Sequence, residues 1–332
     1  MPACLNAKEK EGSPIMEGKE RLLVEVSKMY YYYGYSQKKI AEIINLSRAY
    51  VCQLLDAARR EGIVEIKVRE YSMDDGHMEY WLKEKYGLKN VKVFKNQNFL
   101  DKDKMIKAMA ETVSQLFGEL VSDGATIAFT WGNTLYRISK EIEVEREYKN
   151  IRVIPLSGGM GNIEKNIYVS EISTNFAQAF NGTPYVIPLP VLVENNKIKE
   201  SIYSDSVVAG LLNMWEKVDI AVFTVGDLGE DNAMFRNGFI DKNDLKKLRK
   251  NGLAGDFCTH FLDKEGEVCD MAYDDRTISI SLQDLKKIPN KICVVYDVSK
   301  AMILRSVLKK GYIDHLFVDE ATVHLMKLTE EN

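Results

Sequence analysis

The sequence predicts an α/β protein: an N-terminal winged helix-turn-helix domain followed by a larger domain around a mostly parallel sheet. Two periodicities and one charge contrast predict it. Residues 36–60 hold two short capped helical periods separated by a tight turn, and from residue 91 short apolar runs alternate with amphipathic stretches. Between Lys19 and Arg69 ten Lys/Arg stand against six Asp/Glu, a net of +4, in a chain whose overall charge is −4. Residues 1–18 contribute −1, so residues 70–332 carry −7. A basic segment on an acidic body suits phosphate binding by that segment alone.

In chain order, residues 1–17 are polar and aperiodic; they are expected to be disordered, with Met16 as an alternative start. The helix-turn-helix domain is expected over residues 18–69. Leu22, Leu23, Val26, Met29 and Tyr30 form a bracing helical stripe. Ser36 and Ser47 stand where N-caps belong, the first before Ile40, Ala41, Ile43 and Ile44, the second before Val51, Leu54, Leu55 and Ala58. Asn45-Leu46 alone joins the helices, so they must cross steeply, with Leu46 plugging the corner. Arg48, Ala49, Tyr50 and Gln53 then fall on the side away from the apolar stripe, where bases are read. Ser36, Gln37, Lys38, Lys39, Ser47 and Arg59 complete the expected DNA-facing set. Gly62 ends the second helix, and residues 63–68 alternate as a wing strand would.

Residues 70–90 read as a linker helix with Met78, Trp81, Leu82 and Tyr86 on one stripe, ending at Gly87. Residues 91–332 read as the second domain. Its expected strands are Val91–Phe94, Thr126–Thr130, Ile151–Leu156, Tyr185–Val193, Ile220–Val225, Ile292–Tyr296 and His315–Val318. Expected helices are Met105–Leu120, Thr134–Glu143, Val169–Phe180, Ser206–Trp215, Lys242–Lys250, Lys300–Leu308 and Ala321–Lys327.

In such a sheet ligands bind beyond the carboxyl ends of the strands, where free backbone N–H groups face outward. The loops there are Thr130-Trp131-Gly132-Asn133-Thr134, Ser157-Gly158-Gly159-Met160-Gly161, Gly226-Asp227-Leu228-Gly229, Tyr296 to Lys300, and Asp319 to Thr322. Their small and hydroxyl residues suit a polyhydroxylated or anionic ligand, and Lys300 adds a positive charge. None has the spaced glycines of a dinucleotide fingerprint or the Gly-Lys-Ser/Thr of a P-loop.

Cysteines at 4, 52, 258, 269 and 293 and histidines at 77, 260, 315 and 324 lack metal-ligand spacing, His260 with Asp256 being the nearest approach. The expectation is a reduced, cytoplasmic chain with no metal and no cofactor. No apolar run is long enough to span a membrane, the most apolar being interrupted by Pro188 and Pro190.

The run Tyr32 to Ala41, then Leu46-Ser47-Arg48, then Leu54 to Val64 resembles the N-terminal domain of SorC-type sugar-responsive transcriptional regulators. Thr130 to Leu135, Gly255-Asp256-Phe257 with Phe261-Leu262-Asp263, Asp275 to Leu282, and Lys300 to Gly311 with Asp319 to Thr322 are similar to successive blocks of that family's effector domain. The resemblance implies a Rossmann-like domain related to phosphosugar isomerases and CoA transferases, which binds a sugar or sugar phosphate and carries oligomer contacts. It also implies that Gly132, Asn133 and Thr134 cradle the ligand, that Asp256 bonds its hydroxyls, and that Lys300 faces its anionic end. Gly158, Gly159, Met160, Gly226, Asp227, Asp297, Thr130 and Trp131 complete the expected effector site.

Three departures from the family pattern stand out. Cys52-Gln53 replaces Ser-Arg, Tyr296-Asp297 replaces Gly-Gly, and Thr224 to Asp227 replaces a Gly-Val-Gly type of run. The last two each add a carboxylate, which would repel a phosphate. The expected function is an effector-controlled regulator that binds double-stranded operator DNA as a homo-oligomer, dimer or tetramer. The alternative is a sugar-phosphate isomerase-like enzyme with an accessory nucleic-acid-binding domain, in which Asp227, Asp256 or Asp297 would be the base.

Overall fold

A computed structural model describes residues 14–64, 66, 75–96, 101–159, 167–227, 229 and 232–330. The chain divides into two compact units, Met1–Ser72 and Met73–Asn332. Of the expected wing, residues 65, 67 and 68 lie outside the described residues, and so does Met160.

The first unit consists of α1 (Pro14–Tyr31), α2 (Gln37–Ile44) and α3 (Arg48–Arg60). Both expected caps form: Ser36 Oγ accepts from the Lys39 N–H at 3.2 Å, and Ser47 Oγ from the Tyr50 N–H at 3.1 Å. Each satisfies one of the donors that a helix start leaves without an intrahelical partner. Asn45 takes a left-handed conformation (φ 53°), which ends α2 and turns the chain directly into α3. Leu23, Val26, Ile40, Ala41, Val51, Leu54, Leu55 and Ala58 form the core, with Leu46 packed against it at the corner. Ile43, expected on the buried stripe, is 47% exposed, because eight residues of α2 present only a narrow face to α1 and α3.

In the second unit the chain runs α4 (Asp75–Tyr86), β1 (Asn90–Phe94), α5 (Lys102–Leu120), β2 (Thr126–Phe129), α6 (Asn133–Lys140), β3 (Arg152–Pro155), α7 (Ile167–Ala179) and β4 (Thr183–Pro184). It continues through α8 (Asn196–Ser204), α9 (Ser206–Leu212), β5 (Ile220–Phe223), β6 (Val225–Gly226), α10 (Ala233–Arg236), α11 (Lys242–Lys250), β7 (Leu253–Phe257) and β8 (His260–Asp263). Last come α12 (Met271–Asp274), α13 (Leu282–Lys287), β9 (Asn290–Val295), α14 (Ala301–Lys309), β10 (His315–Asp319) and α15 (Glu320–Leu328).

Seven strands form a parallel sheet in the order β1-β10-β9-β5-β2-β3-β4, and β6-β7-β8 form a small antiparallel sheet. The parallel strands are buried on both faces, which is why they read as continuous apolar runs. Alternate residues serve two cores. Ile127, Phe129, Ile220, Val222, Ile292, Val294 and Phe317 pack with α5, α6 and α7 on one side. Ala128, Ala221, Phe223, Cys293, Val295, Leu316 and Val318 pack with α4, α13, α14 and α15 on the other. Met78 and Leu82 of the expected linker helix belong to this second core. Among the described residues no helix is long and apolar enough to cross a membrane.

One expected strand needs correction. Pairing after α7 is confined to Thr183–Pro184, and residues 185–193 make only isolated bridges, Gly159 with Pro190 and Leu192 with Thr277. Pro184, Pro188 and Pro190 have no N–H to give, so the apolar run cannot sustain a ladder.

Candidate functional site

In the first unit α3 leaves Arg48, Ala49, Tyr50 and Gln53 exposed, opposite the buried Val51, Leu54 and Leu55. Ser36, Lys38, Lys39, Ser47 and Arg59 are exposed as well, whereas Gln37 is half-buried. Arg59 is paired with Asp56 at 2.6 Å and Lys39 approaches Glu42 at 3.9 Å. Exposed pairs of this kind are weak enough to be exchanged for phosphate.

In the second unit a cavity of about 690 Å³ opens beyond the carboxyl ends of the parallel strands. It lies where β2 leads away to β3 and β5 lies on the other flank of β2, the place at which open α/β sheets leave a crevice. Thr130, Trp131, Gly132, Asn133, Thr134, Gly226, Asp227, Asp256, Asp297 and Lys300 all line it. Gly158 and Gly159 are not among its described lining residues. A side chain at Gly158 would put Cβ 2.6 Å from the Pro190 carbonyl, so this glycine permits the close approach of residues 189–190.

Lys300 reaches across the cavity from the turn after β9. Its ammonium donates to Thr134 Oγ1 at 3.0 Å and to Thr224 Oγ1 at 3.5 Å, joining the loops after β2 and β5. Burial holds its pKa below the ordinary lysine value, against the opposing pull of Asp227, Asp297 and Asp256. Gly132, with φ 150°, adopts a conformation open to glycine alone and turns the chain into α6. Gly132 has no side chain with which to cap α6, so it leaves the first N–H groups of that helix without a capping acceptor of its own.

Asp256 lies on β7 opposite Gly226 of β6. A Cβ at Gly226 would sit 1.9 Å from Asp256 Oδ1, so this glycine makes room for the carboxylate. Asn232 Nδ2 donates to Asp256 Oδ1 at 2.8 Å and to the Asp227 carbonyl at 2.6 Å. Burial pushes the Asp256 carboxyl up to about 6, in spite of the Asn232 hydrogen bond and the Lys300 charge. Asp297 has φ 115°, a conformation that side chains with a Cβ rarely adopt. Its carboxylate accepts from the Ser299 N–H at 3.0 Å. Thr130 Oγ1 is buried without a hydrogen-bond partner among the described residues.

Other wall residues were not legible as site residues. Asn232, Lys102, Arg137 and the Cys258-Thr259 turn also line the cavity. Arg137 pairs with Asp103, and the Lys102 ammonium stands 5.0 Å from the Tyr296 ring centre. The one local signal was at Asn232, whose Oδ1 accepts from the Met234 N–H as a helix cap does. His260 is committed elsewhere, with Nδ1 2.5 Å from Asp274 Oδ1 and Nε2 2.9 Å from the Ile280 carbonyl.

Three lines of similarity accompany this geometry. The Sugar-bind family model, a sugar-binding domain, matches residues 72–326. The deoxyribonucleoside regulator of Bacillus subtilis (strain 168) is 32% identical over 308 residues, covering 93% of this chain and 97% of that protein. The sorbitol operon regulator of Klebsiella pneumoniae is 24% identical over 307 residues, covering 92% and 97%. The crystal structure of the full-length sorbitol operon regulator SorC from Klebsiella pneumoniae shares the fold, with a TM-score of 0.67 over 93% of this chain and 99% of that chain at 23% identity.

Proposed function

The chain belongs to the SorC/DeoR-type family of sugar-binding transcriptional regulators, and we propose that its first unit binds an operator duplex with an affinity set by a carbohydrate held in the cavity of the second. The observation that carries this reading is Lys300 bridging Thr134 and Thr224 at the mouth of the parallel sheet, in a chain that also presents a capped helix-turn-helix. Hydroxyl, amide and carboxylate groups converge there, the set that recognises a polyhydroxylated ligand. The names of the relatives, one for sorbitol and one for deoxyribonucleosides, favour the same class and favour a regulator over an isomerase.

Arg48, Ala49, Tyr50 and Gln53 read bases, and Lys39 meets a phosphate. One helix-turn-helix spans only a few base pairs, so useful affinity comes from a homo-oligomer on spaced half-sites. Effector binding changes the fit to those half-sites, with a coupling of about 1–3 kcal/mol, or roughly five- to 150-fold in affinity.

The test is a fluorescence titration of a promoter duplex taken from beside the gene, with and without a panel of free and phosphorylated sugars and polyols. The expected result is duplex binding that at least one carbohydrate shifts. Binding that no carbohydrate shifts, or carbohydrate turnover by the purified chain, would overturn the proposal.

A further inference from the structure

We propose that the cavity takes an uncharged polyhydroxy ligand, and that Asp297 is the residue that turns away its phosphorylated counterpart. This rests on the reading of the cavity as a carbohydrate site.

The argument begins with the backbone. A turn that leaves a strand and enters a helix offers free N–H groups to an anion. The turn at Val298–Lys300, which leads from β9 into α14, has such a donor in the Ser299 N–H. It is already taken: the Asp297 carboxylate accepts it at 3.0 Å, so the chain supplies its own anion where that of a ligand would sit. The position is held against conformational preference, since φ 115° suits glycine and a side chain with a Cβ is strained there. Two hydrogen bonds keep it in place, the Asp297 N–H to Asp319 Oδ1 at 3.1 Å and the Lys300 N–H to the Asp297 carbonyl at 3.1 Å.

The rest of the wall agrees. Asp227 and Asp256 add two more carboxylates around Lys300, which already donates to two threonine hydroxyls. Of the other cations on the wall, Arg137 is paired with Asp103 and the Lys102 ammonium stands over the Tyr296 ring, 5.0 Å from its centre. A phosphate brought into the cavity would have to be desolvated among these carboxylates, whose charges repel it. A neutral polyol has the opposite match, because its hydroxyls donate to carboxylates. Thr130 is 94% buried and its Oγ1 has no hydrogen-bond partner among the described residues, so it marks a wall position that a ligand hydroxyl would satisfy.

The experiment measures binding by thermal shift and calorimetry for the native chain, Asp297→Gly and Asp297→Asn. The probes are inorganic phosphate and two matched pairs, sorbitol with sorbitol 6-phosphate and ribose with ribose 5-phosphate. Asn removes the charge and keeps the bulk, while Gly removes both, so agreement between the variants assigns the effect to charge. The expected result is no detectable phosphate binding by the native chain at millimolar concentration and an affinity for inorganic phosphate about ten-fold or more higher in both variants. Phosphate binding that is equal in all three, or a phosphorylated probe that binds the native chain more tightly than its free partner, would overturn the inference. Should no probe alter operator binding by the native chain, the effector reading fails instead, and a phosphate gain confined to the variants still upholds the role of Asp297.

Discussion

The backbone N–H of Asp297 donates to the buried carboxylate of Asp319 at 3.1 Å, which ties the cavity wall to the N-cap of α15. Asp319 also accepts from the Thr322 N–H at 3.1 Å and from Thr322 Oγ1 at 2.6 Å, and it is 1% exposed. Asp319→Ala therefore removes a cap and leaves the Asp297 N–H without its acceptor. The expected loss is about 2–4 kcal/mol, the sum of the two effects. Urea denaturation measures it, and Asp319→Asn, which keeps one acceptor oxygen, should lose less.

Strain at Asp297 is readable by comparing two variants that both lack the carboxylate. At an ordinary position glycine is less stable than alanine by about 0.5–1 kcal/mol. At φ 115° the order should reverse, because alanine keeps the strained backbone and glycine does not. Asp297→Gly should exceed Asp297→Ala in stability by about 1 kcal/mol or more. Equal stabilities, or alanine ahead, would show that the backbone relaxes when the side chain shortens.

Two buried groups should make stability depend on pH in opposite directions. His315 is buried with neither ring nitrogen bonded among the described residues, and burial pulls it from 6.5 to about 4. Below 6.5 the unfolded chain gains a proton that the folded chain refuses, so stability falls as pH drops from 6.5 to about 4. Asp256 is raised by burial from 3.8 to about 6. The folded chain takes up that proton first, so stability rises as pH drops from about 6 to 3.8. These two contributions should largely cancel in the native chain, so between pH 6.5 and about 4 Asp256→Asn should lose up to about 3 kcal/mol more than the native chain does, the His315 contribution no longer offset. Denaturant titrations at pH 7, 5.5 and about 4 separate the two.

The parts of the fold that show in the sequence are those fixed locally. Ser36 and Ser47 cap what they precede, and β2, β5, β9 and β10 are apolar throughout because both faces are covered. The β7–β8 hairpin had no such signal. Leu253–Phe257 contains Gly255 and Asp256, poor strand formers, and the turn is Cys258-Thr259 with φ of 49° and 69°, where Asn-Gly would announce itself. The cavity loops could be located from their place after strands. The approach of Asn232, Lys102 and Arg137 could not, because it depends on how distant segments pack. A glycine needed for backbone proximity, such as Gly158, where a Cβ would stand 2.6 Å from the Pro190 carbonyl, looks the same in sequence as one that admits a ligand.

The DNA-reading face makes the last prediction, and its two arms differ in what they change. Arg48 opens α3 beside the Ser47 cap and is exposed, so its guanidinium is free to reach a base edge. Arg48→Ala should lose about 1–3 kcal/mol of discrimination between the operator and its point variants at one position. Lys39 lies in the first turn of α2, exposed beside Glu42, where a backbone phosphate would be met. Lys39→Ala should weaken every duplex alike and reduce the slope of log affinity against log salt by about one unit. Titrations at several salt concentrations on matched and mismatched duplexes distinguish the two. Discrimination untouched by Arg48→Ala, or an effect of Lys39→Ala confined to one base pair, would reassign the residue concerned. Ser47→Ala should cost about 1 kcal/mol of stability in the first unit through the lost cap, which a denaturant titration of the free protein reads apart from any effect on the duplex.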